Sequence, residues 1–531
     1  MSEPCLMVDD TAPDSRPADL GAAASAAAVP ADGVPAGTAA PVRVLVPAPL
    51  PLRAVIERVS PLAVLGDPEG ATVSTVVHND KEVVSGALFC CLSGAHADGH
   101  SFAGEARRRG ARAFLCEHSL PGLLPGEVQL VVGPGHARRA MAHAACALWR
   151  DPSAGLTTVG VTGTNGKTTV TWLLREILER HGWRTGVVGT LDGARTTPEA
   201  PELQATLAAQ RAAGCVATAL EVTSHALVQD RVEGMCFEVA VFTNLSQDHL
   251  DFHESMEAYF AAKAELFTPR LCRRAVVNLD DPYGRRLLDR SLVPTSGFSA
   301  AAAAIAEVGV AGCSFELFGR RVQLGLGGRF NVENALAAAE TAHVLGVPEA
   351  TIVEALSRAR PVPGRLELVP TVGGVTVVVD FAHTPAGLAE LLAVARAGLA
   401  GSLTVVFGCG GDRDRGKRPA MGKVASELAD LVLLTSDNPR SEDPQAIVDQ
   451  IRAGLRAGTP CVVQLDRRAA IGEALRRAAP GDVVVIAGKG HETTQEIGGE
   501  LLPFDDRDVA RQELARLGRG ARRSPGAARS A

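Results

Sequence analysis

The sequence predicts an α/β protein of three domains, with parallel sheets and a nucleotide-binding loop in the middle domain. Three observations predict this fold class. The chain has 531 residues, which exceeds what a single hydrophobic core usually organises. Short apolar runs alternate with longer amphipathic stretches along most of it, as in sheets covered by helices. A glycine-rich loop at 163–169 directly follows one of the apolar runs.

The composition of the chain argues against nucleic acid and membranes as binding partners. A formal net charge of -7 gives no electrostatic reason for binding nucleic acid or anionic membranes. No apolar run approaches the roughly 20 residues that span a bilayer, and the first residues carry acids where a secretory signal carries bases. The 11 cysteines include no C-x-x-C pair, which fits neither a zinc site nor a disulfide framework. We therefore expect a cytoplasmic monomer that acts on small molecules, without nucleic acid and without membrane insertion.

The two ends of the chain differ from the rest. Residues 1–50 are dominated by Ala, Pro and Gly and contain almost no aromatic residues. Such a segment buries too little apolar surface to offset its chain entropy, so we expect a disordered arm. The tail 518–531 is equally poor in apolar residues, and we expect it to be flexible.

Three blocks lie between the ends. The first, 51–152, contains short strands and a helix around 102–109, and the second, 153–362, opens with the strand-like TTVGV at 157–161. The third, 363–517, alternates strands with helices such as 446–455 and 468–478, a pattern typical of a doubly wound, Rossmann-like sheet. Its predicted strands are VTVVVDF, LTVVFGC, DLVLLTS, CVVQL and DVVVIAG.

The loop in the second block is predicted to bind phosphate. It joins the strand at 157–161 to a helix whose apolar residues recur at helical spacing. Its glycines let backbone N–H groups face an anion, Lys167 adds a charge, and Thr168 offers a hydroxyl to Mg²⁺. Strict P-loop spacing requires glycine where Val161 stands, so a glycine-rich turn that merely caps a helix is the alternative. The loop consists of Gly163, Thr164, Asn165, Gly166, Lys167, Thr168 and Thr169.

From about 70 to 508 the chain resembles the Mur ligase family. The loop GTNGKTT is characteristic of that family, and ten further stretches occur in the family's order. They are EVTSHAL, FTNLSQDHLDFH, YFAAKAELF, VVNLDDPYG, GRFNVENALAA, VPGRLE, VDFAHTP, FGCGGDRDRGKRP, SDNPRSEDP and AGKGHETTQ. The resemblance implies an N-terminal uridine-nucleotide domain at 51–152, a central ATPase domain at 153–362 and a C-terminal, Rossmann-like acceptor domain at 363–517.

The resemblance also implies a reaction. A substrate carboxylate attacks the γ-phosphate of ATP to give an acyl phosphate, and an amine then displaces phosphate. The stretches are most similar to the members that add diaminopimelate to the D-Glu carboxylate of UDP-MurNAc-L-Ala-D-Glu in peptidoglycan precursor synthesis. Both steps accumulate negative charge, so electrostatic clamping by Lys167 and by Mg²⁺ is the expected main device.

Four residues carry the implied catalysis: Lys167, Glu221, His249 and Lys263. Thr168, Glu221 and His249 are the candidate ligands of two Mg²⁺ ions. The family carries at the position of Lys263 a lysine carbamylated by CO₂, and the carbamate replaces a repelled ammonium with anionic oxygens. Without the resemblance, Glu221 and Lys263 read as surface residues, and His249 reads as a structural histidine.

Two further groups of residues are implied for ATP and for the acceptor. A planar arginine at 440 holds the distal carboxylate of diaminopimelate through two parallel hydrogen bonds, and lysine would leave that arginine unpaired. Glu492 suits the distal ammonium. The candidate ATP contacts are Asn331, Asn334, Arg365, Asp380 and His383. The candidate acceptor contacts are Arg413, Asp437, Asn438, Pro439, Arg440, Gly488 and Glu492.

The donor site departs from the family pattern. Where the family has Asp-Ser-Arg, whose serine helps to hold the uridine nucleotide, this chain has Asn79-Asp80-Lys81. In addition, the short segment 191–195 stands where the family commonly has a longer hairpin. These departures leave open a divergent ligase with another carboxylate donor, and a non-catalytic nucleotide-binding regulator is a third hypothesis. A folylpolyglutamate-type ligase shares the loop but has no reason to carry DNPR and GKGHE. The candidate donor contacts are Asp80, Thr196, Thr197, Thr223, Gln229 and Arg231.

Overall fold

The structure is a computed structural model that describes residues 45–94, 97–191, 193 and 195–518. Most of the N-terminal arm (1–44) and of the C-terminal tail (519–531) lies outside the described residues, as do two residues of the short segment 191–195. Within the described part of the chain, none of the helices is both long and apolar enough to cross a membrane.

The first block forms a five-stranded sheet. Four of its strands are parallel to one another, and the fifth, Ala63–Leu65, is an antiparallel strand at one edge. In spatial order the strands are Ala63–Leu65, Val128–Val131, Ala113–Cys116, Ala87–Cys90 and Thr75–Val77. A small ladder pairs Leu50–Pro51 with Thr72–Val73. The helices are Leu52–Val59, Ala103–Arg108 and Ala137–Leu148, with single 3₁₀ turns at Asp80–Glu82, Gly99–Phe102 and Pro152–Gly155.

The second block forms a six-stranded parallel sheet. Its strands in spatial order are Thr295–Phe298, Cys272–Asn278, Phe237–Phe242, Thr157–Thr162, Ala217–Glu221 and Thr185–Val188. A three-stranded antiparallel sheet adds Ile305–Val308, Cys313–Leu317 and Arg320–Leu324. The helices are Lys167–Arg180, Ala200–Ala212, Ser224–Val228, Leu250–His253, Met256–Ala264, Pro282–Asp289, Arg329–Val344 and Glu349–Ser357, with a 3₁₀ turn at Glu265–Phe267.

The helix that follows the phosphate loop packs onto this sheet as its spacing predicts. The apolar side chains on its inner face are fully buried against strand residues Val159 and Val161. The buried helix residues are Val170, Leu173, Leu174, Ile177 and Leu178. Because the loop joins a central strand to this anchored helix, its backbone is fixed at the carboxyl edge of the sheet.

The third block forms the predicted doubly wound sheet. Its strands in spatial order are Glu367–Val369, Thr376–Asp380, Val483–Ala487, Leu403–Phe407, Leu431–Leu434 and Cys461–Val463, of which only the first is antiparallel. The helices are Pro385–Arg396, Lys417–Leu428, Pro444–Arg452, Arg467–Arg477 and Asp506–Arg516. A hairpin of Thr494–Ile497 and Glu500–Pro503 follows the strand Val483–Ala487.

The predicted α/β class is confirmed, and so are the five strands and the two helices predicted in the third block. Each of the three main sheets comes from one of the three predicted blocks, while the boundaries at 152 and 362 stay predictions. The carboxyl ends of the parallel strands carry the polar segments that the sequence singled out, and ligands of open α/β sheets bind at that edge.

Candidate functional site

A cleft of about 330 Å³ is lined by loops of the second and third blocks. The phosphate loop contributes one wall, and the segments that follow the strands of the C-terminal sheet contribute the other. Most of the residues predicted for ATP, metal and acceptor line this one cleft, together with two of those predicted for the donor, Thr196 and Thr223. They are Thr164, Asn165, Gly166, Lys167, Thr168, Thr196, Glu221, Thr223, His249, Arg365, His383, Arg413, Asp437, Asn438, Arg440, Gly488 and Glu492.

Two glycines are required by the shape of the phosphate loop. Gly163 has φ +150° and Gly166 has φ +89°, backbone angles that residues with a side chain rarely adopt. A Cβ at Gly163 would collide with Thr243 Oγ1, and one at Gly166 would collide with Asn334 Oδ1. The neighbours therefore press against the loop on both sides and hold its backbone in one conformation.

Lys167 lies folded onto the loop. Its Nζ donates hydrogen bonds to the carbonyl oxygens of Gly163 and Thr164, each at 2.9 Å. Burial lowers the pKa of Lys167, and Glu221 and Asp248 oppose that shift. The ammonium is thus held by two neutral carbonyls, which leaves its charge available to an anion in the cleft.

Glu221 is a buried acid of the cleft. Its Oε2 accepts hydrogen bonds from Thr168 Oγ1 at 3.0 Å and from Thr190 Oγ1 at 3.1 Å, and its Oε1 accepts one from Thr190 N at 2.9 Å. It ends the strand Ala217–Glu221 with 1% of its surface exposed. Thr168 and Glu221 therefore present a hydroxyl and a carboxylate next to the phosphate loop, a donor set that suits Mg²⁺.

His249 faces the same cleft from the other side. It is half-buried, has φ +54°, and its Nε2 lies 3.4 Å from Asp248 Oδ2. Burial lowers its pKa to about 3 although Asp248 opposes the shift. The imidazole is thus neutral at ordinary pH, which is the form that ligates a metal.

Lys263 lies behind the loop rather than in the cleft lining. It is 1% exposed, its Nζ donates to Gly163 O at 2.9 Å, and the same atom is 4.7 Å from the centre of the Tyr259 ring. Burial, and after it the charge of Lys167, holds its pKa well below the usual range. A buried lysine in contact with the loop is not the surface residue that its sequence context AAKAELF suggests.

The predicted ATP contacts divide into two groups. Arg365 reaches across to the phosphate loop, where its Nη2 donates to Thr168 Oγ1 at 3.0 Å, and His383 lines the cleft. Asp380 instead accepts hydrogen bonds from two backbone N–H groups. Asn331 and Asn334 are buried and bonded to each other at 3.1 Å. Three of the five residues thus support the framework next to the cleft.

The acceptor wall contains a buried network that sequence reasoning missed. Lys489, which is fully buried, donates to Asn438 Oδ1 at 3.0 Å and to Glu492 Oε2 at 2.7 Å, and Asn438 Nδ2 donates to the same Glu492 oxygen at 2.8 Å. Lys489 lies within the quoted stretch AGKGHETTQ, and that stretch was its only signal. The network fixes Glu492 and Asn438 relative to each other.

Arg440 requires a correction. Its Nε lies 3.1 Å from Glu496 Oε2, and its Nη1 donates to Gly411 O at 2.7 Å. The expectation that lysine would leave this arginine unpaired is therefore wrong. Within the described part of the chain, its Nη2 donates no hydrogen bond, so this atom stays available to a carboxylate in the cleft.

The residues predicted for the donor extend from the cleft towards the N-terminal sheet. Thr197 Oγ1 donates to Glu221 O at 2.8 Å, and Arg231 donates to Thr197 O at 2.8 Å and to Gln229 Oε1 at 2.6 Å. Thr223 caps the helix Ser224–Val228, where its Oγ1 accepts from Ala226 N at 3.1 Å. These contacts form a continuous path from Glu221 to Arg231.

Comparisons with known proteins decide the family. The Mur ligase middle domain matches residues 161–342, the Mur ligase glutamate ligase domain matches 364–490, and the Mur ligase family catalytic domain matches 72–139. A UDP-N-acetylmuramoyl-L-alanyl-D-glutamate–2,6-diaminopimelate ligase from Thermosynechococcus vestitus is 46% identical and covers 83% of this chain and 93% of its own. The chain belongs to the Mur ligase family. The ligase of the same name from Alkalilimnicola ehrlichii is 43% identical, and the match covers 85% of this chain and 96% of that ligase.

Solved structures agree with this membership of the Mur ligase family. A UDP-N-acetylmuramoyl-L-alanyl-D-glutamate–2,6-diaminopimelate ligase superposes with a TM-score of 0.60 at 33% identity, over 87% of this chain and 99% of that one. The MurF ligase of Thermotoga maritima in complex with ADP shares the fold, with a TM-score of 0.57 at 20% identity over 83% and 96% of the two chains.

Several predicted residues of this Mur ligase lie outside the cleft lining, and several unpredicted ones lie inside it. Asp80 belongs to a turn of the N-terminal sheet and Pro439 to a buried loop. The predicted residues outside the lining are Asp80, Gly163, Thr169, Thr197, Gln229, Arg231, Lys263, Asn331, Asn334, Asp380 and Pro439. The unpredicted lining residues include Thr190, Asp248, Phe381, Cys409, Asp414 and Lys417. Most of these unpredicted residues lie within the stretches that carry the family resemblance, and this position was the only sequence feature that pointed to them.

Proposed function

We propose that this Mur ligase joins diaminopimelate to the D-Glu carboxylate of UDP-MurNAc-L-Ala-D-Glu and converts ATP to ADP and phosphate. One observation carries the proposal: a single cleft holds the phosphate loop with Glu221 and His249 on one wall, and Arg440 with Glu492 on the other. The names of the two relatives above support the same substrates.

The first step activates the donor. A carboxylate oxygen of D-Glu forms a bond to the γ-phosphorus while the bond from that phosphorus to the β,γ-bridging oxygen breaks, and ADP leaves with the bond's electrons. Lys167 and the N-terminus of the helix Lys167–Arg180 hold the phosphate charges. When Mg²⁺ is bound, Thr168, Glu221 and His249 would hold it, and it would neutralise charge on the phosphate oxygens.

The second step forms the amide. The neutral amine of the acceptor attacks the acyl carbon, the tetrahedral intermediate expels phosphate, and the amine proton passes to solvent or phosphate. The acceptor must therefore be held with its amine towards the phosphate loop. Arg440 and Glu492 on the opposite wall would fix its distal carboxylate and its distal ammonium.

The buried position of Lys263 supports carbamylation. Only a neutral amine attacks CO₂, and the depressed pKa of Lys263 favours that form. Attack forms an N–C bond, and the loss of one proton leaves a carbamate whose single negative charge is shared by two oxygens. The carbamate would then place a negative charge near the ammonium of Lys167.

Acceptor selection gives the primary test. With purified protein, ATP, Mg²⁺ and UDP-MurNAc-L-Ala-D-Glu, we expect phosphate release and the mass of a tripeptide product with diaminopimelate, and far less of either with L-lysine. Arg440→Leu should lower kcat/KM for diaminopimelate about 10- to 150-fold, because hydrogen bonds to charged groups contribute about 1.5–3 kcal/mol. Arg456→Leu, which removes a solvent-exposed arginine of the same block that also pairs with a glutamate, is the matched control.

The acceptor series also separates the alternatives. Equal or better turnover with lysine would contradict the role of Arg440. Turnover that appears only when the donor is exchanged would favour the divergent ligase. ATP binding without turnover on any donor would favour the nucleotide-binding regulator.

Asp80 gives a test of the donor. Its carboxylate has no hydrogen bond or ion pair within the described part of the chain, and it heads the turn that stands where the family's serine helps to hold the nucleotide. Two like charges about 4 Å apart repel by about 1 kcal/mol in a water-like medium, so Asp80→Ser should lower the KM for the UDP donor about fivefold. Glu57→Ser, an exposed acid of the same block, should leave it unchanged. A higher KM in Asp80→Ser would show that Asp80 itself contacts the donor.

A further inference from the structure

Lys417 is a buried cation without a protein partner. It is the first residue of the helix Lys417–Leu428, it lines the cleft, and only 8% of its surface is exposed. Within residues 45–518 as described, its Nζ donates no hydrogen bond and forms no ion pair. An ammonium that is taken out of water without a partner costs several kcal/mol, so such a group points to a ligand that supplies the missing charge.

The other buried lysines around the cleft all have partners. Lys167 donates to two carbonyl oxygens of the phosphate loop, and Lys263 donates to one. Lys489 donates to Asn438 and Glu492. Lys417 is the exception among these four, although its side chain is as withdrawn from solvent as that of a core residue.

The surroundings of Lys417 place it at the meeting point of the two walls. Burial, and after it the charge of Lys417, lowers the pKa of His383 to about 4. Burial raises the pKa of Cys409 to about 12, and Lys417 opposes that shift. Asp248, from the wall of the phosphate loop, is a third group that feels its charge. None of the three forms an ion pair with it.

The charges of the acceptor identify the missing partner. Diaminopimelate has two carboxylates and two amines, and the proposed function assigns its distal carboxylate to Arg440 and its distal ammonium to Glu492. The attacking amine must be neutral. The carboxylate beside that amine still needs a cation, and it must lie at the end of the acceptor site that faces the phosphate loop. Two cations of the acceptor wall are unassigned: Arg413 is exposed and donates to Asp412 O at 3.2 Å, whereas Lys417 is buried and has no partner among the described residues.

We propose that Lys417 binds the carboxylate adjacent to the acceptor's nucleophilic amine and so aims that amine at the acyl phosphate. The proposal rests on the proposed function. The phosphates have other cations, because Lys167 and Arg365 both contact the phosphate loop. Lys417 belongs instead to the wall that carries Arg413 and Arg440, four residues after the first of these.

The test compares three variants: Lys417→Met, Lys417→Arg and the control Lys423→Met, which removes an exposed lysine from the same helix. Lys417→Met should raise the KM for diaminopimelate about 10- to 100-fold, as expected for loss of a charged hydrogen bond. The KM for ATP and the yield of acyl phosphate, trapped by borohydride without acceptor, should stay unchanged. Lys417→Arg should recover part of the loss, and Lys423→Met should behave as wild type.

The melting temperature shows whether Lys417→Met changes the KM only by destabilising the fold. Since Lys417 has no protein partner, the ligand-free Lys417→Met enzyme should melt no lower than wild type. The proposal is overturned if Lys417→Met loses acyl phosphate formation with an unchanged KM for the acceptor, because Lys417 would then contact the phosphoryl group. It is equally overturned if Lys417→Met matches Lys423→Met. If wild-type enzyme releases no phosphate with diaminopimelate, the proposed function fails instead.

Discussion

Lys263→Ala is expected to lower kcat at least about 10²- to 10³-fold, the loss typical when a preorganised group that stabilises charge is removed from an active site. The side chain of Lys263 is buried next to Gly163, and its Nζ donates to the Gly163 carbonyl oxygen, which also accepts a hydrogen bond from Lys167 Nζ. Phosphate release under saturating ATP, donor and diaminopimelate measures the effect.

Chemical rescue separates a carbamate from a structural lysine. Alanine leaves a cavity next to the loop, and a small carboxylate such as formate or acetate has the charge and shape of the missing carbamate end. We therefore expect partial recovery of Lys263→Ala activity with these anions. Lys167→Met, which removes a cation from the same loop, should show no recovery.

Isotope labelling checks the same inference without a variant. Wild-type enzyme supplied with ¹³C-labelled bicarbonate should show a carbamate carbon signal that Lys263→Ala lacks. An active Lys263→Ala enzyme, or a wild-type enzyme whose activity is indifferent to complete removal of CO₂, would contradict the carbamate. In that case the lowered pKa of Lys263 would reflect its burial and no carbamate.

Local patterns made much of the fold predictable. The apolar spacing after the phosphate loop is a property of consecutive residues, so the helix Lys167–Arg180 and its inner face follow from sequence alone. The strand ends of the C-terminal sheet were predictable for the same reason. Rules for parallel sheets then place the polar segments after those strands at one edge.

Contacts between distant segments were not predictable in this way. Arg440 pairs with Glu496, and Lys489 links Asn438 to Glu492, through a hairpin whose docking no local pattern specifies. The isolation of Lys417 is likewise a property of everything that surrounds it. Sequence reasoning therefore found most of the residues that line the cleft, but it misjudged the state of Arg440 because it could not see its partner.

Arg467→Met is expected to lower the free energy of unfolding by about 3–5 kcal/mol, the usual cost of leaving one member of a buried ion pair alone. Arg467 and Asp506 are both fully buried and joined by two hydrogen bonds, Nε to Oδ1 and Nη2 to Oδ2, each at 2.7 Å. Urea unfolding measures the change. Arg468→Met, which removes the half-exposed neighbour, should cost no more than about 1 kcal/mol.

The same arginine links stability to the acceptor wall. Arg467 also donates to Ser436 O at 3.3 Å and to Ala487 O at 2.9 Å, and these carbonyls immediately precede Asp437 and Gly488 of the cleft. In Arg467→Met with Asp506→Leu no buried charge is left unpaired, so much of the lost stability should return. The two carbonyls still lack their donor. We therefore expect the double variant to keep a raised KM for diaminopimelate; a KM restored together with stability would show that Arg467 acts on the cleft through folding alone.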